Sequence, residues 1–132
     1  MLPKYHILYG AIFGIVIIPF IGILNSTIVF LASFLIDSDH YLRYVCVTRD
    51  FSIINSIRYF YDKSKKRLHE LYIFHTVEFW LLLLLLGVYS EIFIYILLGI
   101  LYHMAFDFID MFKKGYYNVR IYSVLLWMIL KI

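Results

Sequence analysis

The sequence predicts an all-α integral membrane protein: a bundle of four transmembrane helices with a short fifth hydrophobic helix and an interfacial amphipathic helix. Composition is the first observation behind this fold class. Of the 132 residues, 64% are hydrophobic and 16% are charged, and the mean hydropathy is +0.85. A typical soluble domain is about half apolar and a quarter charged, and a soluble chain of this length has too small an interior for so much apolar surface. We therefore expect a single transmembrane domain, residues 1–132.

The second observation is a series of apolar runs separated by short polar turns. A bilayer core of about 30 Å needs roughly 20 apolar residues in a helix. The predicted spans lie, in chain order, at about 7–24, 28–37, 71–88, 92–112 and 121–131. A polar turn at 25–27 joins the first two, and the fifth is short for a full crossing.

The positions of Lys and Arg predict the orientation of these spans. Seven of the twelve lie in the loop 41–70, which is too polar to span, three follow the fourth span, and Lys4 precedes the first. The turns at 25–27 and 89–91 contain none. Because cytoplasmic loops are enriched in Lys and Arg, we expect a multi-pass protein of the cell membrane, inner or plasma, with its N-terminus and this basic loop in the cytoplasm.

The basic loop also contains the predicted amphipathic helix. Within 51–62, one helical face carries Ile53, Ile54, Ile57, Phe60 and Tyr61, and a basic cluster follows. This pattern is typical of a helix that lies in the interface of an anionic bilayer. A plain positively charged loop is the alternative.

Histidines and carboxylates converge on the cytoplasmic ends of the predicted helices. All five histidines lie on that side: His6, His40, His69, His75 and His103. The acids beside them are Asp37, Asp39, Glu78, Asp107 and Asp110. Because residues three or four apart share a helix face, His103 lies on one face with Asp107, and His75 with Glu78. Four helices therefore deliver ionisable groups to one layer of the bundle.

The charge balance of this layer favours a metal site. A charge in the hydrocarbon costs at least about 2.5–3.5 kcal/mol and needs a partner. No Lys or Arg lies within the first four predicted spans to neutralise Glu78, Asp107 and Asp110, which leaves protons, imidazolium or a bound cation. Imidazole and carboxylate donors without thiolates suit Zn²⁺, Fe²⁺ or Mn²⁺.

Simpler interpretations of the same residues stay open at this point. A single His–Asp pair in a helix bundle can be only a buried hydrogen bond. His6, His40 and His69 can be solvated at the interface, and Asp110 is close enough to the following lysines to form an ion pair with them.

Four short motifs, taken in order, resemble a known family. They are His6 with Gly10, the Asp-x-Asp-His run that ends at His40, the loop histidine His69 or His75, and the final His-x-x-x-Asp of 103–107. The pattern is similar to the family of membrane-bound, metal-dependent hydrolases that are described as LexA-binding and inner-membrane-associated. It covers the chain to about Phe112. The family has proline where this chain has Ile36.

The resemblance implies a metal-dependent hydrolase in which water activated by the metal attacks the substrate. The expected metal ligands are His6, Asp39, His40, His75, His103 and Asp107. Asp37 and Glu78 are the candidates for a general base or for orienting the ligands. Zn²⁺ is the preferred ion, with Mn²⁺ or Fe²⁺ as alternatives. Because the site would open at the cytoplasmic headgroups, we expect a lipid or lipid-linked phosphate as substrate and no nucleic acid as partner.

Other classes of function remain as alternatives. A metal-binding or transport protein would also bury His and Asp. Transport, however, needs a polar path across the membrane. The outer halves of the predicted spans are apolar, notably 81–86. A membrane di-iron oxidase gathers more histidines than the five present here. A non-catalytic assembly protein, in which the polar cluster only fixes the register of the helices, is the last alternative.

Overall fold

The computed structural model describes residues 3–61, 70–115 and 120–130, and 83% of this part of the chain is helical. The helical class predicted from the sequence is therefore confirmed. The elements are α1 (Pro3–Leu35), α2 (Ser38–Thr48), α3 (Ile53–Tyr61), β1 (Glu70–Leu71), a 3₁₀ turn (Ile73–His75), α4 (Val77–Leu86), α5 (Ile92–Lys114), β2 (Arg120–Ile121) and α6 (Val124–Leu130). The two short strands pair in parallel, with Glu70 opposite Arg120 and Leu71 opposite Ile121.

Helix α1 folds back on itself at Gly22. The backbone of Gly22 has φ 78° and ψ 164°, a conformation that is essentially restricted to glycine. The two halves lie antiparallel, because the Ser26 hydroxyl donates to the carbonyl of Gly14 and a methyl group on Gly10 would collide with the Ser33 hydroxyl. The first two predicted spans are thus the two arms of a helical hairpin.

The turn of this hairpin is not at 25–27, where the sequence analysis placed it. Residues 25–27 are helical. Their polar groups bond to the preceding turn of the same helix: Asn25 Nδ2 donates to the carbonyl of Ile21 at 3.0 Å, and Thr27 Oγ1 donates to that of Ile23 at 2.8 Å. Since the side chains are satisfied within the helix, they do not end it, and Gly22 provides the reversal.

Two helical segments are long and apolar enough to cross a membrane. They are Lys4–Thr48, which contains the α1 hairpin and α2, and Ile92–Lys114, which is α5. Length and composition alone also fit the core helix of a soluble protein, but here only 11% and 28% of the apolar windows are buried. The four predicted crossings are not supported. Helix α4 has 10 residues, which at 1.5 Å per residue gives about 15 Å, half of a bilayer core.

The helices found at the third and fifth predicted spans are shorter than expected, because other local structure occupies part of each run. Residues 70–71 form β1, and 73–75 form a 3₁₀ turn. Thr76 then caps α4, its hydroxyl accepting from the backbone N–H of Phe79. At the other end, β2 occupies 120–121, so that α6 retains 7 residues. Helix α5 coincides with the fourth predicted run and ends at Gly115.

The centre of the fold is the packing of α5 against the α1 hairpin. Gly99 brings the α5 backbone against the carbonyl of Val29, where no other side chain would fit. About one turn further along α5, the ring of Tyr102 stacks on that of Phe13 in the first arm of the hairpin, with centroids 4.0 Å apart. An apolar cluster of Ile36, Leu83, Ile100 and Met104 joins α4 to this pair.

Buried polar side chains and exposed apolar side chains are both numerous in the described part of the chain. Several buried side chains are polar or ionisable: His6, Ser26, Ser33, Asp39, Ser56, Glu70, His75, Thr76, His103 and Asp107. Large apolar side chains cover the outside, for example Phe20 and Leu24 beside the hairpin turn. In α3, Ser56 is buried at 5% exposure, whereas Ile53 and Ile54 are 65% and 63% exposed. The apolar face of α3 therefore points away from the protein.

Candidate metal centre

Seven ionisable side chains meet at the end of the helices opposite the Gly22 turn. We call them the His/Asp cluster: His6, Asp37, Asp39, His40, His75, His103 and Asp107. The start of α1, the α1–α2 junction, the start of α2, the 3₁₀ turn before α4, and α5 each contribute to it. The convergence predicted from sequence spacing is therefore present, although it arises from helices of different lengths than expected.

One carboxylate oxygen lies among three imidazole rings. Asp37 Oδ1 is 3.5 Å from His103 Nε2, 3.7 Å from His40 Nδ1 and 3.8 Å from His75 Nε2. These separations are long for direct hydrogen bonds. Four donors that surround a tetrahedral Zn²⁺ at 2.0–2.1 Å stand about 3.3 Å from one another. The spacing around Asp37 is thus close to that of donors arranged around an ion.

The orientation of His103 is fixed by the backbone. Its Nδ1 lies 2.7 Å from the carbonyl oxygen of Ser33, and because a carbonyl only accepts, Nδ1 carries the proton. In the neutral ring the lone pair is then on Nε2, which is buried and makes no hydrogen bond to the described residues. It faces Asp37 and Asp107, the latter through Oδ2 at 3.6 Å. A buried acceptor without a donor is costly, so this atom fits a cation.

Asp39 is hydrogen-bonded to two of the histidines. Its Oδ1 accepts from His40 Nδ1 at 2.7 Å, and its Oδ2 accepts from His75 Nδ1 at 3.0 Å and from the backbone N–H of Phe74 at 3.1 Å. Both oxygens are thus engaged, and the Nε2 of His75 is left to face Asp37. Carboxylates that accept from the distal nitrogen of a metal-binding histidine orient the ring and raise its basicity. The structure places Asp39 in this position relative to His75, and at His40 it is bonded to the same Nδ1 that lies near Asp37.

His6 and Asp107 form the other side of the cluster. His6 Nε2 is 3.2 Å from Asp107 Oδ1, and both side chains are buried. The ring of His6 stacks on that of His103, with centroids 4.0 Å apart and planes 19° from parallel. The pair therefore joins the start of α1 to α5 in the interior of the fold.

The described residues form three groups of possible metal donors, with all donor atoms in a group within 4.8 Å of one another. The groups are His6, Asp37 and His103; Asp37, His40 and His75; and His75, His103 and Asp107. Together they contain five of the six predicted ligands, and they add Asp37. Asp39 belongs to none of them.

The sequence analysis missed Tyr72 and Ser33. The ring of Tyr72 stacks on His40, with centroids 3.9 Å apart and planes 6° from parallel, and its hydroxyl donates to the buried carboxylate of Glu70. Arg43 Nε lies 3.4 Å from the other oxygen of Glu70. Tyr72 precedes His75 by three residues, which is the one local signal that points to it. No signal in the sequence links the Ser33 carbonyl to a ring 70 residues away.

Glu78 lies at the N-terminus of α6. It accepts from Ser123 Oγ at 2.6 Å and from the backbone N–H groups of Val124 and Leu125 at 3.0 and 3.2 Å. The hydrogen bond from Ser123, with those from the two amides, lowers the pKa of Glu78 to about 2. Its contacts among the described residues are those of a helix cap. Its role as a general base stays a prediction.

Two further residues of the sequence analysis have different outcomes. Asp110 makes an ion pair with Lys114 at 2.6 Å, the interaction that the sequence left open. His69 lies outside the described residues.

No protein-family model matches this chain, and the searches find neither a curated protein nor a solved structure that is significantly similar to it. Function must therefore be argued from the His/Asp cluster and its surroundings.

Proposed function

We propose that this chain is a membrane protein that binds a divalent metal ion in the His/Asp cluster and hydrolyses a lipid or lipid-linked phosphate at the cytoplasmic headgroups. The observation that carries the proposal is the Nε2 atom of His103. It is buried, its lone pair is fixed by the bond from Nδ1 to Ser33, and it faces the carboxylates of Asp37 and Asp107.

Charge supports a cation at this place. All ion-pair partners that the described residues give Asp37 and Asp39 are histidines. A neutral imidazole does not balance a carboxylate, and unbalanced buried charge is strongly destabilising. A divalent ion would compensate the carboxylates and use the free lone pair of His103 at the same time.

The donor types limit the choice of ion. The cluster offers imidazole nitrogens and carboxylate oxygens, and the single cysteine, Cys46, is exposed outside it. Such donor sets suit Zn²⁺, with Mn²⁺ or Fe²⁺ as alternatives. When bound, the ion lowers the pKa of a water molecule and polarises a phosphoryl or acyl oxygen.

The exposure of the side chains in the cluster indicates where a substrate can enter. The Asp37 side chain is 28% exposed and that of His40 is 15% exposed, whereas His75 and His103 are fully enclosed. A substrate therefore reaches the cluster on the side of Asp37 and His40.

The surface of the fold supports the proposed membrane setting. Apolar side chains cover α1 and α5, and the basic residues among the described ones gather near the cluster end: Lys4, Arg43, Arg49, Arg58, Lys113 and Lys114. The segments around Gly22 and 87–91 carry none. By the positive-inside tendency, we propose a multi-pass protein of the cell membrane with the N-terminus and the cluster on the cytoplasmic side.

Helix α3 extends this proposal to the headgroup layer. Its isoleucines point outward, its buried serine points inward, and Arg58 is exposed on it. An amphipathic helix with this arrangement places its apolar face in the acyl boundary and its basic groups among anionic headgroups. The open side of the cluster would then lie beside lipid headgroups.

Metal content of the purified full chain tests the metal site. The wild type should contain Zn, Mn or Fe in stoichiometric amount after dialysis against buffer, and His103→Ala and Asp107→Ala should lose it. Asp110→Asn is the matched control, because Asp110 lies one turn further along α5 and pairs with Lys114 outside the cluster. A folded wild type that takes up no metal would overturn the proposal.

A second assay tests hydrolysis itself. Phosphatidic acid in mixed micelles serves as a lipid phosphate probe, with release of inorganic phosphate as the readout. We expect release by the metal-loaded wild type and none by His103→Ala. Metal binding without hydrolysis would favour the metal-binding alternative, and metal flux into liposomes would favour transport.

A further inference from the structure

We infer that the His/Asp cluster holds two divalent ions and that the carboxylate of Asp37 bridges them. The inference rests on the proposed function, since it concerns the same metal site. It adds the number of ions and the division of the ligands between them.

The division of the donors is visible in the three groups described above. Asp37 belongs to two of them, and these two share no other residue: one contains His6 and His103, the other His40 and His75. Among the described residues, Asp37 is therefore grouped with both pairs of histidines, whereas the third group joins His75 to His103 and Asp107. A carboxylate has two oxygens and is the side chain best suited to bridge two ions.

A single ion does not account for all the donors. Opposite donors of an octahedral ion at 2.1 Å stand about 4.2 Å apart, so the ligands of one ion all fall within a sphere of that width. Each group formed by the described residues has three members, and none contains His40 together with His6 or Asp107. The cluster is thus too extended for one coordination sphere.

Each side of the cluster also supplies imidazole nitrogens, and carboxylates lie on both sides. One side has His6, His103 and Asp107, with Asp107 Oδ1 3.2 Å from His6 and Oδ2 3.6 Å from His103. The other has His75, whose Nδ1 is bonded to Asp39 and whose Nε2 faces Asp37, and His40, whose Nδ1 is bonded to Asp39. Each ion would therefore have two imidazoles and at least one carboxylate, counting Asp37 for both.

The net charge of the cluster would differ in sign between a state with one bound ion and a state with two. With neutral histidines, Asp37, Asp39 and Asp107 give the cluster a charge of −3. One divalent ion leaves a net negative charge, which repels an anionic phosphate ester. Two leave a net positive charge, which attracts it. The two-ion state is thus the one that matches the proposed class of substrate.

The number of ions is measured by equilibrium dialysis of the purified full chain against Mn²⁺, with metal analysis. We expect two Mn²⁺ per chain. One per chain would overturn the two-ion inference and leave the proposed function standing, whereas none would overturn both.

Variants test the division between the two sides. His6→Ala and His40→Ala should each reduce the content from two ions to one, while Asp110→Asn should keep two. If either histidine variant retains two, or if either loses both while remaining folded by circular dichroism, the division is wrong.

Electron paramagnetic resonance gives an independent readout that does not depend on the variants folding. Two Mn²⁺ ions bridged by one carboxylate are exchange-coupled, so the fully loaded wild type should give a coupled multiline spectrum. A spectrum of isolated Mn²⁺ at full loading would contradict the bridge.

Discussion

His103 Nδ1 donates a hydrogen bond of 2.7 Å to the backbone carbonyl of Ser33, although 70 residues separate the two in the chain. This bond ties α5 to the second arm of the α1 hairpin at the level of the His/Asp cluster. Because the acceptor belongs to the backbone, a substitution of the Ser33 side chain does not remove it. The bond depends instead on how closely the two helices approach, and Gly99 sets that distance.

Gly99→Ala should therefore weaken both the fold and the metal site. The new methyl group would collide with the carbonyl of Val29 and lie 2.9 Å from the Ala32 Cβ and 3.1 Å from the Ser33 nitrogen. Since backbone atoms cannot rotate aside, α5 must shift, at a cost of about 1–3 kcal/mol. We expect the melting temperature to fall by several degrees and metal affinity to fall with it, as measured by thermal unfolding and metal titration in detergent.

Gly87→Ala is the control for this prediction. Its methyl group would meet mainly the end of the Ile94 side chain, which can adopt another rotamer. Metal affinity should be unchanged. Equal losses of affinity in the two variants would contradict the role assigned to Gly99.

Asp39→Asn should weaken metal binding without abolishing it. Asp39 accepts hydrogen bonds from the Nδ1 atoms of His40 and His75, and loss of a carboxylate that orients a metal-binding histidine usually costs 10–100-fold in metal affinity. An asparagine keeps the shape but places an amide group where one of the two histidines requires an acceptor. Competition with a fluorescent chelator measures the affinity. Complete loss of binding in a folded variant would mean that Asp39 is itself a ligand, as the sequence analysis predicted.

Gly22→Ala should destabilise the α1 hairpin. The ψ of 164° at a φ of 78° places Gly22 in a region where a side chain costs about 1–3 kcal/mol. Gly115 also has a positive φ, 71°, but its ψ of 26° lies in the ordinary left-handed region, where alanine costs about 1–2 kcal/mol. Thermal unfolding should show the larger loss for Gly22→Ala. A larger loss for Gly115→Ala would argue against a sharp reversal at residue 22.

The Glu78 cap predicts a specific dependence on pH. Folding lowers the pKa of Glu78 from 4.5 to about 2. A lowered carboxyl pKa stabilises the fold at pH values above 4.5, and this contribution is lost as the pH falls toward 2. Glu78→Gln lacks it at every pH, so the difference in melting temperature between wild type and variant should be large at pH 6 and should shrink as the solution is acidified.

The comparison is Glu91→Gln, because the exposed carboxylate of Glu91 accepts only a long bond from the Tyr95 hydroxyl among the described residues. The melting temperature of Glu91→Gln should differ little from that of wild type, and this difference should change little over the same pH range. A pH-independent difference for Glu78→Gln would contradict the cap.

The outward face of α3 predicts contact with lipid. In a Cys46→Ser background, a fluorescent label on Ile54→Cys should be quenched by nitroxide lipids and shifted to the blue in nanodiscs that contain anionic lipid. The neighbouring exposed Asn55, replaced by Cys, gives the matched control and should respond less. Equal accessibility of the two labels to a water-soluble quencher would place α3 away from the bilayer.

Much of the candidate site was predictable because it depends on local spacing. The i and i+4 positions of His103 and Asp107 in one apolar helix place both on one face whatever that helix packs against. The Asp37–His40 run follows an apolar arm and must lie at its end. These relationships within single segments are enough to predict a His/Asp layer, and the structure brings its members together.

The role of each residue within the His/Asp layer was harder to predict from the sequence. Asp37 and Asp39 are two residues apart, and nothing in that spacing tells which lies among the imidazoles and which lies behind them. Glu78 shares a spacing of three with His75, yet its hydrogen bonds run to residues 45–47 positions later. In both cases some of the deciding partners, such as His75 and His103 for the two aspartates, are distant in the chain, so the local pattern carries no information about them.

By itself, the sequence determined that this protein is helical, that its surface is apolar and that its ionisable groups gather at one end of the helices, because composition and short-range periodicity fix these properties. The tertiary structure decided where α1 reverses, how short α4 and α6 become, and which carboxylate faces which imidazole. Those features depend on contacts between segments tens of residues apart, where close packing and the pairing of buried polar groups select one arrangement among several that the local pattern allows.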